Sequence, residues 1–207
     1  MFEIPPTDEP AAGAIIFLHG WGANGRDLVP LGQSLGFNNV QLVFLEGECE
    51  VPGTMGQGRG WFAIPPNEHL EQERFASRRK IISAIEEISS RGIDRSRVIL
   101  LGFSQGASMS LDVMLNHEKG LGAVVALSGF LMETEKVRKM KNLHVDVPIF
   151  AAHGTHDPLL PFEPSKSSVL TLCEVGFDVE WHEYPKAHEI VQEELSAVQQ
   201  FIKRVLS

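Results

Sequence analysis

The sequence predicts an α/β fold, a mostly parallel central sheet with helices on both faces, in one domain covering residues 1–207. Three observations predict it. Short apolar runs of strand length alternate with longer segments whose apolar residues recur at helical spacing. Strand, helix, strand repeated along a chain builds parallel strands joined by crossing helices, which then cover both faces of the sheet. At one strand–helix junction a serine stands between two glycines, in Gly102-Phe103-Ser104-Gln105-Gly106, the sequence of a tight turn that lifts a hydroxyl above a sheet. With 207 residues the chain has enough length for such a core without disulfide or metal.

In chain order, strands are read at Ala14 to Leu18, Val40 to Leu45, Val98 to Gly102, Ala123 to Leu127, Ile149 to Ala152 and Val179 to Tyr184, all short and buried or half-buried. Helices are read at Asp27 to Leu35, Glu71 to Ser90, Gln105 to Asn116, Ser165 to Glu174 and Glu189 to Leu206. In the longest, Phe75, Ile81, Ile82, Ile85 and Ile88 recur at helical spacing, and Arg91-Gly92 supplies a basic last turn and a stop. One segment breaks the alternation. Glu46 to His69 is rich in glycine and proline, and a loop of that length in a compact fold usually serves as a lid or binding loop. Its Trp61-Phe62 pair has two readings: it lines a substrate groove, or it pins the loop to the body.

Eighteen Lys and Arg against 27 Asp and Glu leave a net charge of −9, which argues against nucleic acid or an anionic membrane surface as the main partner. No run approaches the roughly 18 apolar residues of a membrane span. The first ten residues lack the basic start and apolar stretch of a signal peptide. Cys49 and Cys173 form no CxxC pair or metal-ligand spacing, so they read as two reduced, partly buried thiols in a reducing compartment such as the cytoplasm.

Open parallel sheets bind ligands at the carboxyl ends of their strands, and three such ends carry chemistry. After the first strand comes Leu18-His19-Gly20-Trp21-Gly22-Ala23-Asn24-Gly25. After the strand at Ile149 comes His153-Gly154-Thr155-His156-Asp157-Pro158, and after the last strand Tyr184-Pro185-Lys186-Ala187-His188. A serine hydroxyl is a weak nucleophile, so an imidazole must take its proton and later deliver it to the leaving group. A carboxylate must then hold the imidazole's tautomer. Ser104, His188 and Asp157 are the candidates, with the backbone N–H groups of Trp21 and Gln105 as donors to a developing oxyanion. His153, His156 and Asp157 match no metal-ligand pattern, and no metal or cofactor is expected. His19 orders its own loop, His182 belongs to a strand, and His69, His117 and His144 are expected at the surface. Leu159, Leu160 and Phe162 beside Asp157 form an acyl pocket or ordinary core packing.

Three fixed positions around Ser104 arise by chance in roughly one chain of this length in fifteen. Several blocks in order are far more specific, and together they resemble the phospholipase/carboxylesterase family of α/β-hydrolases, which includes acyl-protein thioesterases and small bacterial carboxylesterases. The blocks are Leu18 to Gly25, Gly60-Trp61-Phe62, Arg97 to Gly106, Gly154-Thr155-His156-Asp157 and Tyr184 to His188. The resemblance implies an α/β-hydrolase fold and a cofactor-free serine hydrolase acting on small ester or acyl thioester substrates, with Ser104, Asp157 and His188 as its triad. Trp21, Trp61, Leu159 and Leu160 then surround a short or medium acyl chain. A thioesterase or lysophospholipase uses the same triad, and a non-catalytic ligand-binding protein on the same fold is the alternative of another class. Family members are often homodimers. Four features depart from the family pattern: Ala107 and Ala187 where glycine is common, Trp61-Phe62-Ala63 where tryptophan, tyrosine and an acid are usual, and a short amino-terminal segment that leaves little room for an opening strand hairpin.

Overall fold

The computed structural model describes residues 1–141 and 143–207. Seven strands form one sheet in the order β1-β3-β2-β6-β7-β8-β9. These are β1 (Phe2–Ile4), β2 (Gly13–Leu18), β3 (Val40–Leu45), β6 (Val98–Phe103), β7 (Ala123–Leu127), β8 (Ile149–Gly154) and β9 (Val179–Tyr184). Only β1 runs antiparallel, with Phe2 opposite Phe44 and Ile4 opposite Leu42. A two-stranded hairpin, β4 (Cys49–Glu50) with β5 (Arg59–Gly60), stands apart from the sheet. The helices are α1 (Val29–Ser34), α2 (Leu70–Ser90), α3 (Gln105–Asn116), α4 (Thr134–Val137), α5 (Phe162–Glu174) and α6 (Gln192–Leu206).

Period-two alternation along the strands sorts the core into two layers. Ile16, Leu18, Leu100, Val124 and Ala151 face one side and pack with Ile81 and Ile85 of α2, Met109 and Val113 of α3, and Val169 and Leu172 of α5. Ile15, Phe17, Ile99, Leu101 and Val125 face the other and pack with Leu35 after α1 and with Leu195, Val198, Phe201 and Ile202 of α6. Both faces of the sheet are therefore covered. At roughly 1.5–3 kcal/mol for each fully buried aliphatic or aromatic side chain, these layers dominate the folding energy.

Local differences from the expected elements have physical causes. The three residues of β1 are too few to show a period, and the following Pro5-Pro6 ends the strand. The segment expected as one helix from Asp27 is a 3-10 turn, Gly25–Leu28, capped by Asn24 and Asp27, followed by α1. Helix α5 starts three residues early, at Phe162, because Pro164 lies in the first turn, where a missing N–H costs nothing. Helix α6 starts three residues late, at Gln192, since the Glu189 carbonyl is taken by Lys186 Nζ at 2.6 Å. His117, expected at the surface, is buried, with Nδ1 accepting the Lys119 N–H at 3.0 Å. Cys173 is exposed and Cys49 half-buried, both as free thiols.

Candidate active site

Ser104 sits between β6 and α3 with φ 56° and ψ −119°, a conformation that a residue with a side chain adopts only where its surroundings enforce it. The enforcement comes from the flanking glycines. A Cβ on Gly102 would collide with the backbone of Gly106 and Ala107, and one on Gly106 with the carbonyl groups of Leu18 and His19. Strand β2, strand β6 and the start of α3 thus meet at backbone distance, and the Ser104 N–H is tied to Leu127 O at 2.8 Å.

Three strand ends converge on this serine. The Ser104 hydroxyl donates to His188 Nε2 at 2.9 Å, and His188 Nδ1–H donates to Asp157 Oδ2 at 2.6 Å. The other Asp157 oxygen, Oδ1, accepts the N–H groups of Leu159 and Leu160, both at 2.9 Å. Burial opposes ionisation of Asp157. The hydrogen bonds from Leu160 N–H, His188 and Leu159 N–H outweigh it and hold the carboxyl below its ordinary value. Phe103 packs against the His188 ring with centroids 4.9 Å apart. His153 lies under Asp157, with Nε2 donating to Leu160 O at 3.0 Å and standing 3.4 Å from Asp157 Oδ2, while burial holds its imidazole below the ordinary value.

The loop after β2 passes over Ser104 at Gly20, where a Cβ would stand 3.3 Å from the serine Cβ. His19 fixes this loop. Its Nδ1–H donates to Gly20 O at 2.8 Å and its Nε2 accepts the Gly47 N–H at 3.0 Å, an arrangement that needs the neutral imidazole. Burial pushes its pKa down in the same sense. The backbone N–H groups of Trp21 and Gln105 have no hydrogen-bond acceptor among the described residues. The Gln105 side chain instead reaches the long loop, accepting from Trp61 N–H at 2.8 Å and donating to Phe62 O at 2.7 Å.

Trp61 faces inward. Its side chain is fully buried, Nε1 donates to His19 O at 2.8 Å, and its carbonyl accepts from Ser77 Oγ at 2.5 Å. Every polar group of Trp61 is thus spent on bonds that hold the loop to the body. Phe62 is likewise buried. Leu159, by contrast, is 68% exposed beside Asp157, and Leu160 is half-buried. A groove of about 470 Å³ lies against His188 and Phe103, walled by Leu28, Leu31, Ile190 and Leu195. Two larger hollows, of about 530 and 650 Å³, touch neither Ser104, Asp157 nor His188.

The sequence reading missed two clusters of charge. Arg74 and Arg78 of α2 grip Asp112 of α3, and Arg74 also reaches Glu133. Lys186, two residues before His188, and Glu194, six after it, form a buried pair at 2.5 Å. The second cluster carried one signal: Glu194 is the third residue of α6, a capping position, which a helix start at Glu189 hides.

The profile of the Phospholipase/Carboxylesterase family matches residues 1–206. The chain belongs to this family. It is similar to acyl-protein thioesterase 1 of Debaryomyces hansenii, with 32% identity over 223 residues that take in 99% of this chain and 96% of that protein. Acyl-protein thioesterase 1 of Saccharomyces cerevisiae is also 32% identical, over 96% of this chain and 95% of its own length. Among solved structures, Arabidopsis thaliana SOBER1 superposes with a TM-score of 0.82 at 26% identity, covering 94% of this chain and 99% of that one. This phospholipase/carboxylesterase family member is an α/β-hydrolase, and its chemistry is that of a serine hydrolase of the esterase and thioesterase type.

Proposed function

We propose that the protein cleaves carboxylic esters of short to medium acyl chain through a covalent intermediate on Ser104. The observation that carries this reading is the unbroken hydrogen-bonded chain Ser104 Oγ, His188 and Asp157, at 2.9 and 2.6 Å. His188 Nε2 takes the hydroxyl proton as Oγ attacks the ester carbonyl, and the carbonyl electron pair moves onto oxygen. The oxyanion is met by the Trp21 and Gln105 N–H groups, which have no competing acceptor among the described residues, and Gln105 adds the positive end of α3. Collapse expels the alkoxide, which takes the proton from His188 and leaves as the alcohol. Water then repeats the cycle against the acyl-enzyme, releases the acid and restores Ser104. Asp157, ionised and buried, stabilises the imidazolium in both halves. The exposed Leu159 and half-buried Leu160 flank the acyl chain at the site's rim.

The relatives named acyl-protein thioesterase favour a second reading, in which the leaving group is a thiolate and the same steps apply. Profiling esters and thioesters by chain length separates the two. For the shared mechanism, Ser104→Ala is expected to abolish hydrolysis of p-nitrophenyl butyrate and labelling by a fluorophosphonate. Native turnover in that variant overturns the reading.

A further inference from the structure

We propose that Lys186 is a positioning residue for His188: its ammonium group, held by Glu194, staples the turn that carries the imidazole so that Ser104 and Asp157 are met together. This rests on the reading of His188 as the base. His188 stands on the irregular connection between β9 and α6, where no ladder or helix holds the backbone. Lys186 Nζ donates to the Glu189 carbonyl at 2.6 Å and to Glu194 Oε2 at 2.5 Å, and stands 3.4 Å from Ser128 Oγ. An ammonium has three N–H donors, and each has an acceptor here. Because the Lys186 side chain closes on the carbonyl of Glu189, the bond spans His188 and locks the turn around it.

The staple is anchored on both sides. Glu194 lies in the first turn of α6 and Ser128 follows β7, so the turn is tied to a helix and to the sheet. On the backbone side, Lys186 O accepts the His156 N–H at 3.1 Å and Tyr184 O accepts the Thr155 N–H at 2.8 Å, which couples the same turn to the loop of Asp157. The Lys186 and Glu194 side chains are 1% and 0% exposed. Burial drives the Glu194 carboxyl above its ordinary value despite Lys186, so dehydration outweighs the attraction between the partners. A pair of this kind adds little net stability and is often replaced by apolar residues without loss. Its place beside the base points to geometry.

The double variant Lys186→Met/Glu194→Leu removes the staple and leaves no unpaired buried charge. The Glu189 carbonyl and the Val191 N–H lose their partners, so the thermal midpoint is expected to fall by a few degrees while KM stays native. Both kcat for p-nitrophenyl butyrate and the rate of fluorophosphonate labelling should fall by about tenfold to a hundredfold, the scale of a misplacement near 1 Å. A folded double variant with native kcat and labelling overturns the proposal. Should the double variant not fold, Lys186→Gln decides: a lowered midpoint with native kcat means a merely structural pair, whereas lowered kcat with native KM supports the staple. Absence of Ser104 labelling in the unsubstituted protein would overturn the proposed function, and the staple with it.

Discussion

Gly106→Ala sets local preference against tertiary packing, with opposite signs. Gly106 is the second residue of α3, and alanine in a helix is favoured over glycine by up to about 1 kcal/mol. The added Cβ, however, would lie 2.5 Å from the Leu18 carbonyl carbon and 2.7 Å from the His19 oxygen, with Leu18 O nearer still. Carbon atoms pack best at about 3.5 Å, so β2 and α3 must part by about 1 Å. These are the two elements whose ends carry the Trp21 and Gln105 N–H groups. Overpacking of this kind costs about 1–3 kcal/mol, and each kcal/mol lowers the melting point of a chain this size by about 2–4 °C. A shift near 1 Å between the two oxyanion donors should lower kcat/KM by about a hundredfold. The assay is p-nitrophenyl butyrate hydrolysis beside a thermal melt. Gly120→Ala is the control, because its nearest atoms would be 4.0 Å away. Should Gly106→Ala melt and turn over like the native protein, the account of the elbow as a backbone-contact junction is wrong.

Three further outcomes are expected. Gln105→Leu leaves the Trp61 N–H and the Phe62 carbonyl without partners, and at about 1–3 kcal/mol for each buried group the melting point should drop by several degrees; an unchanged melt would show that the loop does not depend on this bridge. Burial holds the His19 and His153 imidazoles below their ordinary value. The unfolded chain therefore binds protons first as pH falls through about 6.5, and stability declines there by up to about 1.4 kcal/mol per pH unit for each histidine; a melting point that stays level down to about pH 5 contradicts this. Leu159→Ser should raise KM for butyryl and longer esters with no change in the melt, since the side chain is 68% exposed; equal KM across chain lengths would remove Leu159 from the acyl site.

Much of the sheet was legible because each strand is a local apolar run and each helix has a local period. The elbow was legible for a different reason: backbone contact excludes every side chain at Gly102 and Gly106, so the constraint is written as glycine. Asp157 and His188 were legible from chain order and strand ends, with the resemblance to family motifs behind them. The direction in which Trp61 faces was not legible. Its burial depends on His19, Gln105 and Ser77, which lie 42, 44 and 16 residues away, and no local pattern names such partners. The same holds for Arg74, whose buried guanidinium is matched by Asp112 of α3 and by Glu133 just before α4. Polar residues on a helix read as a solvated face until a partner from elsewhere arrives.

The glycine-rich loop shows how a composition that looks like flexibility can encode the opposite. A Cβ on Gly58 would stand 2.6 Å from Gly22 O and from the Thr54 side chain, and a Cβ on Gly47 would meet the Gly60 carbonyl carbon at 2.5 Å. Gly60 itself has room for no side chain against the Trp21 ring. The loop therefore runs at backbone distance from the segment carrying the Trp21 N–H, joined to it by Gly22 N–H to Arg59 O at 2.9 Å and Arg59 N–H to Ala23 O at 2.8 Å. Gln105 then ties its far side to the residue that follows Ser104. Both N–H groups that face the proposed oxyanion are thus held by one loop. A side chain added at Gly47 or Gly60 would disturb them without touching Ser104, His188 or Asp157, so the loop belongs to the machinery of the site even though its tryptophan faces inward.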